Sequence, residues 1–72
     1  MDGDVYRVVV AGELGPVFAK AFDGMTVTAA AGTTEIRGAV ADQAELRGLL
    51  NRIDDFGLRL LSVESVASPA DR

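Results

Sequence analysis

The chain has 72 residues, no cysteine and no histidine, and a net charge of −4 from seven basic and eleven acidic side chains. That length makes one small domain, 1–72, without a disulfide staple, a thiolate zinc site or histidine-based acid–base and haem chemistry, and no cofactor is expected. An acidic surface repels phosphate, so nucleic acid is not the expected partner.

The first element is a strand over Val5–Ala11, VYRVVVA, whose near-continuous β-branched character suits a central place in a sheet. A turn over Gly12–Gly15 follows. Pro16 fits the first turn of a helix, where its missing N–H costs nothing. Phe18, Ala21 and Phe22 then share one helical face, with Leu14 at the entry and Gly24 placed as a C′ stop; the helix is about two turns long. Met25–Ala30, MTVTAA, predicts a second strand, and Ala31, Gly32 and Thr33 a tight connection. Thr34–Val40 alternates as a third strand, with Thr34, Ile36, Gly38 and Val40 on one side and Glu35, Arg37 and Ala39 on the other.

Asp42 is an N-cap, with Glu45 three residues on in a variant of the capping box. Leu46, Leu49, Leu50, Ile53 and Phe56 form one helical stripe, and Gly57 ends the helix. Leu58–Val66 is the last strand. The tail from Ala67, with Pro69, is expected to fray, leaving an ordered core of about 4–67. The order β-α-β-β-α-β predicts an α+β, ferredoxin-like fold: a four-stranded antiparallel sheet, first and third strands central, with both helices on one face.

Residues 9–20, VVAGELGPVFAK, resemble the acylphosphatase signature of a strand, a glycine-containing loop and an arginine early in the first helix. Val10, Gly12, Leu14 and Val17 fall at matching places, and Lys20 at the arginine. The resemblance implies an anion-binding loop formed by Gly12, Gly15 and Lys20. Pro16 removes one N–H from that loop. Ala29 and Ala30 stand where the family carries the asparagine that orients water; the one asparagine here is Asn51, in the second helix. The simpler reading, a tight turn at Gly12 and Gly15 with Pro16 opening the helix, is favoured. Residues 36–63, IRGAVADQAELRGLLNRIDDFGLRLLSV, also resemble small uncharacterised actinobacterial proteins. There a capped helix ends in an element like Asp54-Asp55-Phe56-Gly57-Leu58-Arg59-Leu60 before the last strand. That resemblance implies the fold and no defined activity.

Asp54 and Asp55, adjacent on a helix, point about 100° apart and read as a solvated surface rather than a metal site. Tyr6, in phase with Val8 and Val10, reads as a core or rim residue. The opposite sheet face is expected to carry Val5, Arg7 and Val9, Thr26 and Thr28, and Glu35, Arg37 and Ala39. Two or three of Arg59, Leu60 and Leu61 join them, the phase of the last strand being open. Nothing in the chain covers this face, which reads equally as a solvated sheet face laced with cross-strand Arg–Glu pairs or as a docking surface. The second strand is also an edge without charge or proline to block pairing.

The favoured function is therefore a non-enzymatic interaction module. It would self-associate or bind a protein partner through the open face, at Arg7, Val9, Thr26, Thr28, Glu35 and Arg37, or through the second-strand edge. The alternative is a small-molecule regulatory module resembling ACT domains, with Gly12–Gly15 a ligand contact. An enzyme reading ranks last: a degenerate acylphosphatase-like phosphate binder, or a cofactor-free monooxygenase lacking that family's usual histidine and tryptophan. No apolar run approaches bilayer length and MDGDVYR is not a signal peptide, so no membrane role and a cytoplasmic location are expected.

Overall fold

The computed structural model describes residues 4–22 and 24–66. The expected fraying tail, 67–72, lies outside the described residues. The elements run β1 (Asp4–Ala11), α1 (Pro16–Ala21), β2 (Thr26–Ala30), β3 (Thr33–Val40), α2 (Gln43–Asp55) and β4 (Leu60–Val66). The four strands form one antiparallel sheet in the order β2-β3-β1-β4, so β1 and β3 are central and β2 and β4 are edges. The fold is α+β.

Alternation along the strands places Val8, Val10, Ile36, Val27 and Val63 on one face of the sheet. Phe18, Ala21 and Phe22 from the α1 segment pack there, with Leu46, Leu49, Leu50 and Ile53 from α2. Val8, Val10, Ile36 and Thr34 are fully buried, and Phe22 and Ile53 nearly so. Both helices thus cover the same face. The stripe expected on α2 forms this contact, except that Phe56 stays 44 % exposed. Its ring meets Phe18 and Phe22 edge-on, with centroids 5.1 and 6.1 Å apart.

Local chemistry sets the element ends. Asp42 accepts a hydrogen bond from Glu45 N at 2.9 Å, the expected N-cap. The Glu45 carboxylate reaches back to Ala41 N at 2.6 Å, one residue earlier than the usual capping box. At the far end Leu58 N donates to Ile53 O and Gly57 N to Asp54 O, the paired bonds of a Schellman motif. That motif uses Gly57 and Leu58, so the last strand begins at Leu60 and not at Leu58. α1 is about two turns long, as expected, but stops one residue early. It ends at Ala21 with Phe22 as its C-cap, and Gly24 lies two residues beyond that cap. Phe22 turns inward to join the core, which draws the chain off the helix axis.

The second strand starts at Thr26 rather than Met25, and Thr33 belongs to β3. Ala30 pairs with Thr33, so the hairpin turn is Ala31–Gly32 alone. Both residues have positive φ, +55° and +82°, as a type I′ turn requires. Glycine adopts this without strain; Ala31 does not. The last strand also carries an irregularity. The β1–β4 register shifts between Val9 and Val10, which oppose Ser62 and Leu60, leaving Leu61 as the extra residue.

Candidate interaction face

The loop Gly12–Gly15 is a structural joint. Gly12, at φ +93°, donates its N–H to Gly32 O at 2.8 Å, and the Glu13 carboxylate accepts from Gly32 N at 2.7 Å. Leu14 N donates to the Thr34 hydroxyl at 2.9 Å, and that hydroxyl donates to Gly12 O at 2.7 Å. Ala11 N donates to Arg59 O, which ties the loop to the start of β4. Two of the N–H groups an anion loop would offer are therefore directed at the hairpin and β3, and Pro16 has none. Lys20 sits in the last turn of α1, away from the helix N-terminus that would face an anion. Among the described residues no group of three or more acidic, histidine or cysteine side chains is placed to hold a metal, and Asp54 and Asp55 are exposed.

The sheet face away from the helices is different. Cross-strand pairing arranges it in rows. One row reads Glu64, Arg7, Arg37, Thr26, and the next Ser62, Val9, Glu35, Thr28. Val66, Val5 and Ala39 flank the first row, and Ala11, Thr33 and Ala30 the second. Arg7, Val9, Thr26, Thr28, Glu35 and Arg37, named from sequence as interface candidates, thus fall in two adjacent rows of one face. The β4 contribution is corrected. Register assigns Ser62, Glu64 and Val66 to this face, while Arg59 precedes the strand. Leu60 and Leu61 sit at its irregular start, 45 % and 47 % exposed.

Glu64 is the residue sequence reasoning missed. Leu60-Leu61 hid the strand's phase because both residues are apolar; the extra residue at the bulge explains why simple alternation cannot read it. Arg7 donates through Nη2 to Glu64 at 2.5 Å, and Arg37 lies 3.7 Å from Glu35 on its own strand. Arg7 and Arg37 are direct cross-strand partners, an unfavourable placement for like charges that the two carboxylates offset. Arg7 Nε is itself buried without a hydrogen-bond partner. These ion pairs are half exposed, so each adds little to the stability of the single chain.

Residues 5–64 match a family model described as a domain of unknown function, DUF8691. The chain belongs to this family. No curated protein and no solved structure matches it. The matched span runs from β1 to most of β4, so the two central rows of the face lie wholly inside the family's domain. No helix among the described residues is long and apolar enough to cross a membrane.

Proposed function

We propose that this chain is a small, non-enzymatic interaction module of ferredoxin-like topology that self-associates through its uncovered sheet face. The cytoplasm is the proposed location. The resemblance to small actinobacterial proteins supports the fold and adds no activity.

The observation that carries this reading is the self-complementarity of the face. Consider a two-fold axis in the interface, perpendicular to the strands, between the Arg7–Arg37 row and the Val9–Glu35 row. Each strand then lies over its own copy, running in reverse. Arg37 meets Glu35 of the second copy and Glu35 meets its Arg37, the reciprocal pairing of an isologous interface. Arg7 covers Val9 with its methylene stem, Glu64 lies over the Ser62 hydroxyl, and Thr26 meets Thr28. No like charges are superposed. Aligned sheets cross at about −30°, which keeps these central pairs in reach while the corners diverge.

Size sets the expected strength. The four strands, of eight, five, eight and seven residues at about 3.4 Å each and about 4.8 Å apart, give a face of about 460 Å². Two such faces bury about 900 Å², just under the size of a stable specific interface, about 1,000 Å². The dimer is therefore weak, and mass must be followed over a wide concentration range.

Light scattering on the wild-type chain from about 10 μM to about 1 mM tests the reading. A rise from monomer to dimer mass is expected. Arg37→Glu and Glu35→Arg each place like charges across the axis and should stay monomeric alone. Mixed in equal amounts, they should recover dimer mass, because each supplies the charge the other lacks. A wild-type chain that is monomeric throughout this range refutes self-association. Dimers that survive both substitutions move the interface to the uncharged β2 edge.

A further inference from the structure

A groove of about 410 Å³ opens on the helix side of the sheet, away from the interaction face. It lies where β2 falls short of its neighbour. β2 pairs with β3 only from Thr33 to Arg37, so among the described residues Gly38 to Val40 has no strand beside it on that side. Ala39 and Val40 form one wall, the segment Phe22, Gly24 and Met25 another, and α2 the third through Glu45, Gly48, Leu49 and Arg52.

Three features of this groove select a ligand. Phe22, Met25, Val40 and Leu49 supply the apolar half of its lining. Gly48 leaves the α2 backbone bare, and a Cβ built there meets nothing within 4 Å, so no packing inside the chain demands glycine. A carboxylate and a guanidinium stand at opposite ends. Glu45 and Arg52 are seven residues apart on α2, about 10.5 Å along the helix. Each is fixed by one backbone hydrogen bond: one Glu45 oxygen accepts from Ala41 N, and Arg52 Nη1 donates to Ala21 O at 2.6 Å. Among the described residues the second carboxylate oxygen and the other guanidinium nitrogens take no further hydrogen bond, and they serve as ligand groups.

We propose that this groove binds a short apolar peptide with free termini. Its ammonium group lies at Glu45 and its carboxylate at Arg52, with its backbone alongside the unpaired stretch of β3. Three extended residues span about 10 Å, about the rise along α2 from Glu45 to Arg52. The volume lies within the range of small-ligand pockets, about 300–1,000 Å³. Strand addition to a sheet edge supplies backbone hydrogen bonds, and the charged ends set direction and length.

The test uses the full chain and an alanine–leucine–alanine tripeptide, followed by NMR amide shifts. Saturable shifts are expected at Ala39, Val40, Gly48 and Arg52. The same tripeptide with acetyl and amide ends should bind at least about tenfold more weakly, since it lacks both charges. Gly48→Leu fills the groove while improving helix propensity, so it should abolish the shifts in a chain at least as heat-stable as wild type. No shifts at about 10 mM peptide, equal binding of the blocked peptide, or unchanged binding by Gly48→Leu each overturns the proposal. The groove shares only the edge residue Ala39 with the sheet face, and light scattering reads self-association separately from these shifts.

Discussion

Thr34→Val replaces the one buried polar side chain among the described residues with an isostere. Thr34 is fully buried, and its hydroxyl joins β3 to the β1–α1 loop by donating to Gly12 O and accepting from Leu14 N. Removing it loses two hydrogen bonds of about 0.5–1.5 kcal/mol each and leaves a part-buried donor and acceptor without partners. The added methyl returns about 0.8 kcal/mol. The net loss is about 2 kcal/mol, from a total of about 4–11 kcal/mol for a chain of this length. At about 4–8 °C per kcal/mol, the thermal midpoint should fall by about 8–16 °C. Thr34→Ser is the control: it keeps the hydroxyl and loses a buried methyl, costing about 1 kcal/mol. Thermal and urea unfolding followed by circular dichroism measure both. If the valine variant equals or exceeds the serine variant in stability, the loop is not held by this hydroxyl and the account of the joint is wrong.

Two further substitutions probe the local signals. Ala31→Asn places the residue a type I′ turn prefers at a position with φ +55°, and should raise stability by about 0.5–1 kcal/mol in the same unfolding assay. Asp42→Ala removes the N-cap of α2 and should cost about 1 kcal/mol, with Asp42→Asn close to wild type. Equal midpoints for the alanine and asparagine variants would deny the cap its role.

Much of the fold was legible in short-range pattern. The β-branched run Val8-Val9-Val10 and the alternation of Thr34, Ile36, Gly38 and Val40 marked the central strands, because a two-residue period has to match a buried face. Asp42 and the Leu46-Leu49-Leu50-Ile53 spacing marked α2 for the same reason at helical period. The six interface candidates also came from alternation alone, since phase on β1, β2 and β3 was unambiguous.

Tertiary structure decided the rest. Helix length at α1 depended on where Phe22 finds the core, which no local propensity encodes. The start of β4 depended on the Schellman bonds of Gly57 and Leu58, and its phase on a bulge that only pairing with β1 defines. That bulge brought Glu64 beside Arg7, across 57 residues of sequence. The loop Gly12–Gly15 locally resembles an anion turn, although a plain tight turn is its favoured reading; only pairing shows that Gly32 O and the Thr34 hydroxyl take up two of its donors. The groove beside Gly48 exists because β2 is shorter than β3, a mismatch that appears only once the strands are paired. The sequence by itself therefore determined which residues of β1, β3 and α2 up to Ile53 face inward. Long-range pairing determined which surface groups meet, because their contacts span segments that no periodicity links.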